Sequence, residues 1–181
     1  AKVDAVLDAM PDKTAKLVLA YPPAVYGKAG TTISLLYKGD ANYAVLSNIG
    51  SADTALCGWR MIKLKKSSSD PSAWQPFEWE HPPMQLGVEY RTTARYNSKP
   101  VYVKTVDLGR LPDRSNKSVE HGVADIEACF EFYGNYYPTG INLIGNSTYT
   151  KLYLNNDTIY ISTDLSNASA IVVMKYTKTT D

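Results

Sequence analysis

Reactive side chains are scarce in this chain. Two histidines, His81 and His121, and two cysteines, Cys57 and Cys129, are all it holds among 181 residues. A zinc site needs Cys and His clustered at ligand spacing, and these four are scattered, so no metal or other cofactor is expected. A Cys57–Cys129 bridge stays open, but two lone cysteines 72 positions apart read first as free buried thiols. Membrane-length apolar runs and a secretory leader are missing too, so membrane insertion is not expected. The start at Ala1 reads as that of a fragment of a longer protein. Excess charge of either sign is also lacking. Lys+Arg number 19 and Asp+Glu 18, a net charge of +1. The balance holds within residues 1–84 (9 basic, 8 acidic) and 85–181 (10 and 10). A general nucleic-acid binder carries a basic excess or stripe, so no nucleic-acid partner is expected.

What is present is ordinary in bulk and unusual in one residue. Hydrophobic residues make up 44% and charged residues 20%, the balance of a soluble globular chain long enough to bury a core. Tyrosine, however, occurs 14 times against 3 Trp and 3 Phe, and ten of the tyrosines follow residue 85. Tyr combines a large apolar face with a polar tip, which suits strand surfaces and recognition surfaces alike.

The hydrophobic period organises the chain. In AKVDAVLDAM, Val3, Val6, Leu7 and Met10 recur at helical spacing until Pro11. This is a short flanking helix or the end of an oligomeric coiled coil. The period then becomes two in residues 15–21, 31–38, 42–49 and 59–66, broken by Pro22-Pro23, Gly39-Asp40 and Gly50-Ser51. Residues 65–85 are rich in Pro and Ser yet carry Trp74, Phe77 and Trp79. A free linker has no use for three large aromatics, so this segment is expected to lie along a domain surface with its rings as anchors. The domain boundary falls near residue 84, giving a small N-terminal β-rich module (1–84) and a C-terminal module (85–181).

The second module reads as strands throughout. Residues 88–96 and 99–108 flank Asn97-Ser98, a hairpin-type pair. In residues 125–133, alternation places Ala128, Phe130 and Phe132 on one face and Glu127, Cys129, Glu131 and Tyr133 on the other. Residues 150–154 and 158–163 enclose Asn155-Asn156-Asp157, with Leu152 and Leu154 meeting Ile159 and Ile161 inside. Tyr149, Lys151, Tyr153 and Tyr160 then point outward. Residues 169–178 close the set. Short strands at this spacing make an all-β chain, an antiparallel sandwich or barrel, here taken as a β-sandwich.

Reaction chemistry finds little support. The nucleophile elbow G-x-S-x-G, the phosphate loop, the dinucleotide loop and the EF-hand loop are absent. Glu127 and Glu131 lie in a row on one strand face, whereas a glycosidase needs two carboxylates converging across a cleft. The Asn155-Asn156-Asp157 run offers fewer oxygens than Ca²⁺ takes and reads as a turn. A catalytic site is therefore not expected. Four N-x-[ST] patterns, at Asn116, Asn146, Asn156 and Asn167, are what an Asn/Ser/Thr-rich chain shows by chance. The best binding candidate is the run Tyr133-Gly134-Asn135-Tyr136-Tyr137-Pro138-Thr139-Gly140, read as a loop between core strands. There Tyr133, Tyr136 and Tyr137 supply ring faces, and Asn135 and Asn142 directional hydrogen bonds. Packing of these tyrosines as loop anchors or against a neighbouring subunit is the competing account. Trp74 and Trp79 are the second choice of site.

Several short motifs occur in order over residues 86–181: Glu89-Tyr90-Arg91-Thr92, Lys99-Pro100-Val101-Tyr102, Asp107-Leu108-Gly109, Leu111-Pro112, His121-Gly122 and the closing Lys175-Tyr176-Thr177-Lys178-Thr179-Thr180-Asp181. In these the chain resembles a C-terminal module of phage and prophage tail-fibre or receptor-binding proteins of Gram-positive bacteria. It departs at Ser98, where that pattern has Gly, and shows no family pattern between Cys129 and Asn146. The resemblance implies a non-enzymatic, homotrimeric virion appendage, acting outside the host beside other appendage proteins, with His121-Gly122 as a structural turn. It carries over no binding residue. Together with the tyrosines it leads to an expected adhesin that binds bacterial surface glycan non-covalently. A secreted polysaccharide-active enzyme or its carbohydrate-binding module, and a structural virion decoration protein, are the alternatives.

Overall fold

The computed structural model describes residues 2–20, 32–50, 59–65, 73–137, 150–164 and 168–181, with backbone only at residues 2, 20, 136 and 137. Among the described residues one short helix precedes twelve strands, and the chain falls into two compact units. The first comprises Ala1–Gln85 with Arg91–Thr93; the second comprises Leu86–Tyr90 with Ala94–Asp181.

In the first unit, helix α1 (Lys2–Ala9) precedes β1 (Thr14–Ala20), β2 (Thr32–Asp40), β3 (Tyr43–Gly50), β4 (Arg60–Leu64) and β5 (Glu78–Trp79). These strands lie side by side in that order, antiparallel throughout. Gly39-Asp40 ends β2, and the Asp40 carboxylate accepts from the Asn42 N–H at 2.7 Å, the local bond that makes Asp a turn former. The register sets Leu36, Leu46 and Met61 in one row and Lys38, Ala44 and Lys63 in the next. All six are buried. Helix α1 is pinned to this face. Leu7 and Met10 are buried, Lys38 donates to the Met10 carbonyl at 2.8 Å, and Lys63 pairs with Asp4 at 3.1 Å. Eight residues make a marginal helix alone, so these contacts hold it.

The second unit contains part of β6 (Glu89–Tyr96), then β7 (Lys99–Arg110), β8 (Ser115–Glu120), β9 (Ile126–Tyr137), β10 (Lys151–Leu154), β11 (Thr158–Thr163) and β12 (Ser169–Lys178). Asn97 and Ser98, at φ 48° and 67°, join β6 to β7 in the conformation a two-residue hairpin requires. Strand β12 pairs antiparallel with β7 on one side and β9 on the other. Strands β10, β11 and β8 form a separate three-stranded sheet. The two sheets share one core. Val106, Leu108, Val172, Met174 and Tyr176 come from the larger, Ile159 and Ile161 from the smaller. This is the antiparallel sandwich that the sequence pattern implies. The register Leu152↔Ile161 and Leu154↔Ile159 matches expectation, and both leucines pack against the core.

Strand β9 corrects the expected alternation. Ile126, Cys129 and Phe132 pack against the core, a spacing of three. Two β-bulges cause it. Lys175 pairs with Glu131 but Tyr176 with Cys129, which leaves Phe130 extra; a second slip leaves Glu127 extra. Each bulge turns the following residues over. Cys129, expected outward, is therefore half-buried on the core side, and Phe130, expected inward, is exposed. Cys129 carries a free thiol, and Cys57 lies outside the described residues.

Candidate functional site

The expected binding loop is a strand as far as it can be followed. Tyr133, Asn135, Tyr136 and Tyr137 all belong to β9, paired with Val173, Ile171, Ala170 and Ser169 of β12. The reason is the partner: β12 is ten residues long and continues to pair where Gly134 and Asn135 alone suggest a turn. Tyr133 and Asn135 are half-buried; Asn142 and the side chains of Tyr136 and Tyr137 lie outside the described residues. Trp74 and Trp79 are anchors, 8% and 5% exposed. Trp74 donates its indole N–H to Asp8 at 3.0 Å, and Trp79 meets Trp59 edge to face at 6.4 Å. Neither ring offers a free face to a ligand.

Among the described residues, an open aromatic surface that sequence alternation foresees is the outer face of β10-β11-β8. Its register sets Tyr153 beside Tyr160 beside Ser118, and Lys151 beside Ser162 beside Asn116. Alternation gives these residues the face opposite Leu152, Ile159 and Ile161. The two rings lie 6.0 Å apart, tilted by 41°, and Tyr153 is 50% exposed. Flat rings bordered by hydroxyl and amide groups offer apolar contact and directional hydrogen bonds together.

A second aromatic surface had no signal in the period. Tyr96 and Phe130 stack at 4.6 Å with 15° between their planes, each 41% exposed. The bulge that exposes Phe130 depends on how β9 registers with β12, which no local pattern encodes.

Four glutamates are committed to cations. Glu127 pairs with Lys99 at 2.7 Å, and Glu131 with Lys175 at 2.6 Å. Glu78, almost fully buried, pairs with Arg91 at 3.1 Å. Glu89 accepts from Lys178 at 2.6 Å and from the Tyr176 hydroxyl. Burial first, then that bond to a carboxylate, pushes the Tyr176 phenol far above the usual tyrosine range. Burial likewise pushes the Cys129 thiol up, the opposite of an activated nucleophile.

His121 is structural in its contacts. Its Nδ1 accepts from the Val123 N–H at 3.2 Å, so Nε2 carries the hydrogen and donates to the Asn156 carbonyl at 2.9 Å. The ring thus clamps the Asn155-Asn156-Asp157 turn, and Gly122 follows at φ 59°. An open groove of about 410 Å³ runs beside it, lined by Leu86, Lys104, Asp107, Val119 and Glu120. Lys104 there donates to the Gly122 carbonyl at 3.0 Å. Among the described residues no group of three His, Cys, Asp or Glu is placed to hold a metal ion.

No family model matches the chain, and no curated protein does. A solved structure of an N-truncated R2-type pyocin tail fibre is similar at a TM-score of 0.33 and 8% identity, covering 81% of this chain and 83% of that one. A likeness that low establishes neither a shared fold nor a shared function.

Proposed function

We propose that this chain is a receptor-binding module of a phage-type appendage, holding host-surface glycan without acting on it chemically. The observation that carries the reading is the Tyr153–Tyr160 pair, side by side on the outer sheet face with Tyr153 exposed and Tyr160 half-buried, edged by Ser118, Ser162, Asn116 and Lys151. Flat aromatic surfaces suit the apolar faces of sugar rings, and the hydroxyls and amides at the rim suit their edges. The motif resemblance over residues 86–181 supports the same class, and with it the reading of a virion appendage, a homotrimer among other appendage proteins. Single sites of this size bind weakly, near millimolar, and a trimer gains avidity through effective concentration.

The experiment is cell and wall-polysaccharide binding by the assembled protein, compared with Tyr153→Ala. The reading expects binding by the wild type, strong loss in the variant, a trimeric mass by light scattering and no new reducing ends in the polysaccharide. New reducing ends would replace the adhesin with an enzyme. Absence of any binding by the trimer would favour a decoration protein.

A further inference from the structure

We propose that the Tyr96–Phe130 stack, with the Asn97–Ser98 turn beside it, is a second carbohydrate site that takes the apolar face of an uncharged pyranose. The choice of ligand class rests on the adhesin reading; the site itself rests on three independent observations. The first is that the fold exposes an aromatic ring against its own pattern. Unbroken alternation would send Phe130 inward with Phe132; the bulge at Phe130 sends it out to stack on Tyr96 at 4.6 Å. Bulges are recurrent devices for re-aiming a side chain beside a functional site. The second is the turn. Asn97 and Ser98 both sit at positive φ, 48° and 67°. Asn tolerates this region, but Ser is strained where Gly is free. A strained residue at an exposed position points to a use for its side chain. Here the use is a hydroxyl and an amide next to Tyr96, the polar edge that an aromatic sugar platform needs.

The third observation is the local charge. Lys99, which follows the turn, is neutralised by Glu127 at 2.7 Å and also donates to the Lys178 carbonyl at 3.2 Å. Lys175 is matched by Glu131 at 2.6 Å. These pairs flank Phe130 in sequence and pairing, so neither lysine is a surplus cation that could select an acidic sugar. A nucleic acid, which also stacks bases on aromatic rings, would need that surplus.

The test uses the full chain with methyl hexosides and N-acetylglucosamine as probes, read by saturation-transfer NMR and by binding to cells. Transfer to the ring protons of at least one probe is expected. Phe130→Ala and Tyr96→Ala each weaken that probe's affinity about tenfold, and Phe130→Trp keeps it within about threefold. Ser98→Gly raises the unfolding midpoint while weakening binding, a split that a merely structural turn would not produce. Unchanged probe affinity in folded Phe130→Ala overturns the site. So does a complete lack of transfer to any probe. If cells are still bound in either case, the adhesin reading stands without this site. If wild-type protein transfers to a probe but does not bind cells, the adhesin reading fails and the sugar site stands. Equal transfer to a proline-rich peptide, with none to sugars, replaces the sugar by a peptide ligand.

Discussion

The two units bury a sheet in different ways. The second closes one sheet on another, and its core is apolar from both sides: Ile159, Ile161, Val172 and Met174 are wholly buried. The first covers one face of its sheet with a short helix, and that face carries Thr32, Ser34, Lys38 and Lys63 among its buried residues. On the opposite face, apolar side chains of β1 and β2 are exposed among the described residues. Leu17, Leu19 and Ile33 are all at least half exposed, and the register Leu17↔Leu35 and Leu19↔Ile33 makes them neighbours. A sheet partnered by a second sheet needs only shape and volume to match. A sheet partnered by eight helical residues needs individual polar contacts, and each must be satisfied. The first unit should therefore be sensitive to loss of named charges, and the second to loss of methyl groups.

The largest expected effect tests that contrast directly. Ile161→Ala should destabilise the second unit by about 3 kcal/mol, as deletion of fully buried aliphatic groups does. Leu19→Ala, at a residue 68% exposed, should change stability by less than about 0.5 kcal/mol. Denaturant midpoints of the two variants decide it; a comparable loss in both would mean that the open face is covered in solution.

Next in size is the helix clamp. Asp4→Ala removes the carboxylate 3.1 Å from Lys63, whose side chain is only 7% exposed. Lys63 keeps the Gln75 carbonyl at 2.5 Å and the Phe77 ring at 4.7 Å. Because Asp4 itself is partly exposed, the expected cost is about 1–2 kcal/mol rather than that of a deeply buried pair. Hydrogen exchange should then rise in α1 while the second unit keeps its protection. Equal exchange in both units would break the comparison.

A smaller effect belongs to the polar exception in the second core. Tyr176 is buried with its hydroxyl on Glu89, 87 positions away, and stacks on Tyr102 at 6.0 Å. Tyr176→Phe keeps the packing and leaves Glu89 its Lys178 partner, so about 1 kcal/mol should be lost. Glu89→Ala strands the hydroxyl and leaves Lys178 the Tyr102 ring at 4.8 Å, and should cost more. A double-mutant cycle would show the coupling; independent effects would mean that the pair contributes packing alone.

How far the sequence foretells all this depends on where the determining partner lies. Helix α1, the Asn97-Ser98 turn and the Leu152/Leu154 register were legible because each is set within a few residues or one hairpin. Strand β9 was not. Alternation predicts Phe130 inside and Cys129 outside, and the reverse holds because the bulges are imposed by β12, some forty positions later. The same distant partner turns the expected Tyr133–Tyr137 loop into strand. The motif residues Glu89, Tyr176, Lys178 and Lys175 that carry the family resemblance each have a structural duty in an ion pair or buried hydrogen bond. Residues that recur for such reasons say little about a receptor. The exposed aromatic pairs, Tyr153–Tyr160 and Tyr96–Phe130, are where function is sought instead.

The smallest effect sharpens the contrast from the side of pH. Asp8 on α1 accepts from the Trp74 indole at 3.0 Å and from Lys65 at 3.2 Å. The indole bond first, then Lys65, holds its carboxyl below the ordinary value of 3.8. A carboxyl held low in the folded state contributes stability above its unfolded value and loses it as pH falls through the folded one. The clamp on α1 should therefore be complete at neutral pH and fade only in acid below the ordinary value. The readout is the Trp74 indole N–H resonance, which should move in that acid range in wild type and stay fixed in Asp8→Asn. Over the same range the stability difference between the two proteins should vanish. Because Asp8 is exposed, the change in midpoint should be slight beside that of Asp4→Ala. A Trp74 signal that titrates identically in both proteins would show that the Asp8 contacts do not hold the helix, and that its clamp rests on Leu7, Met10, Asp4–Lys63 and Lys38.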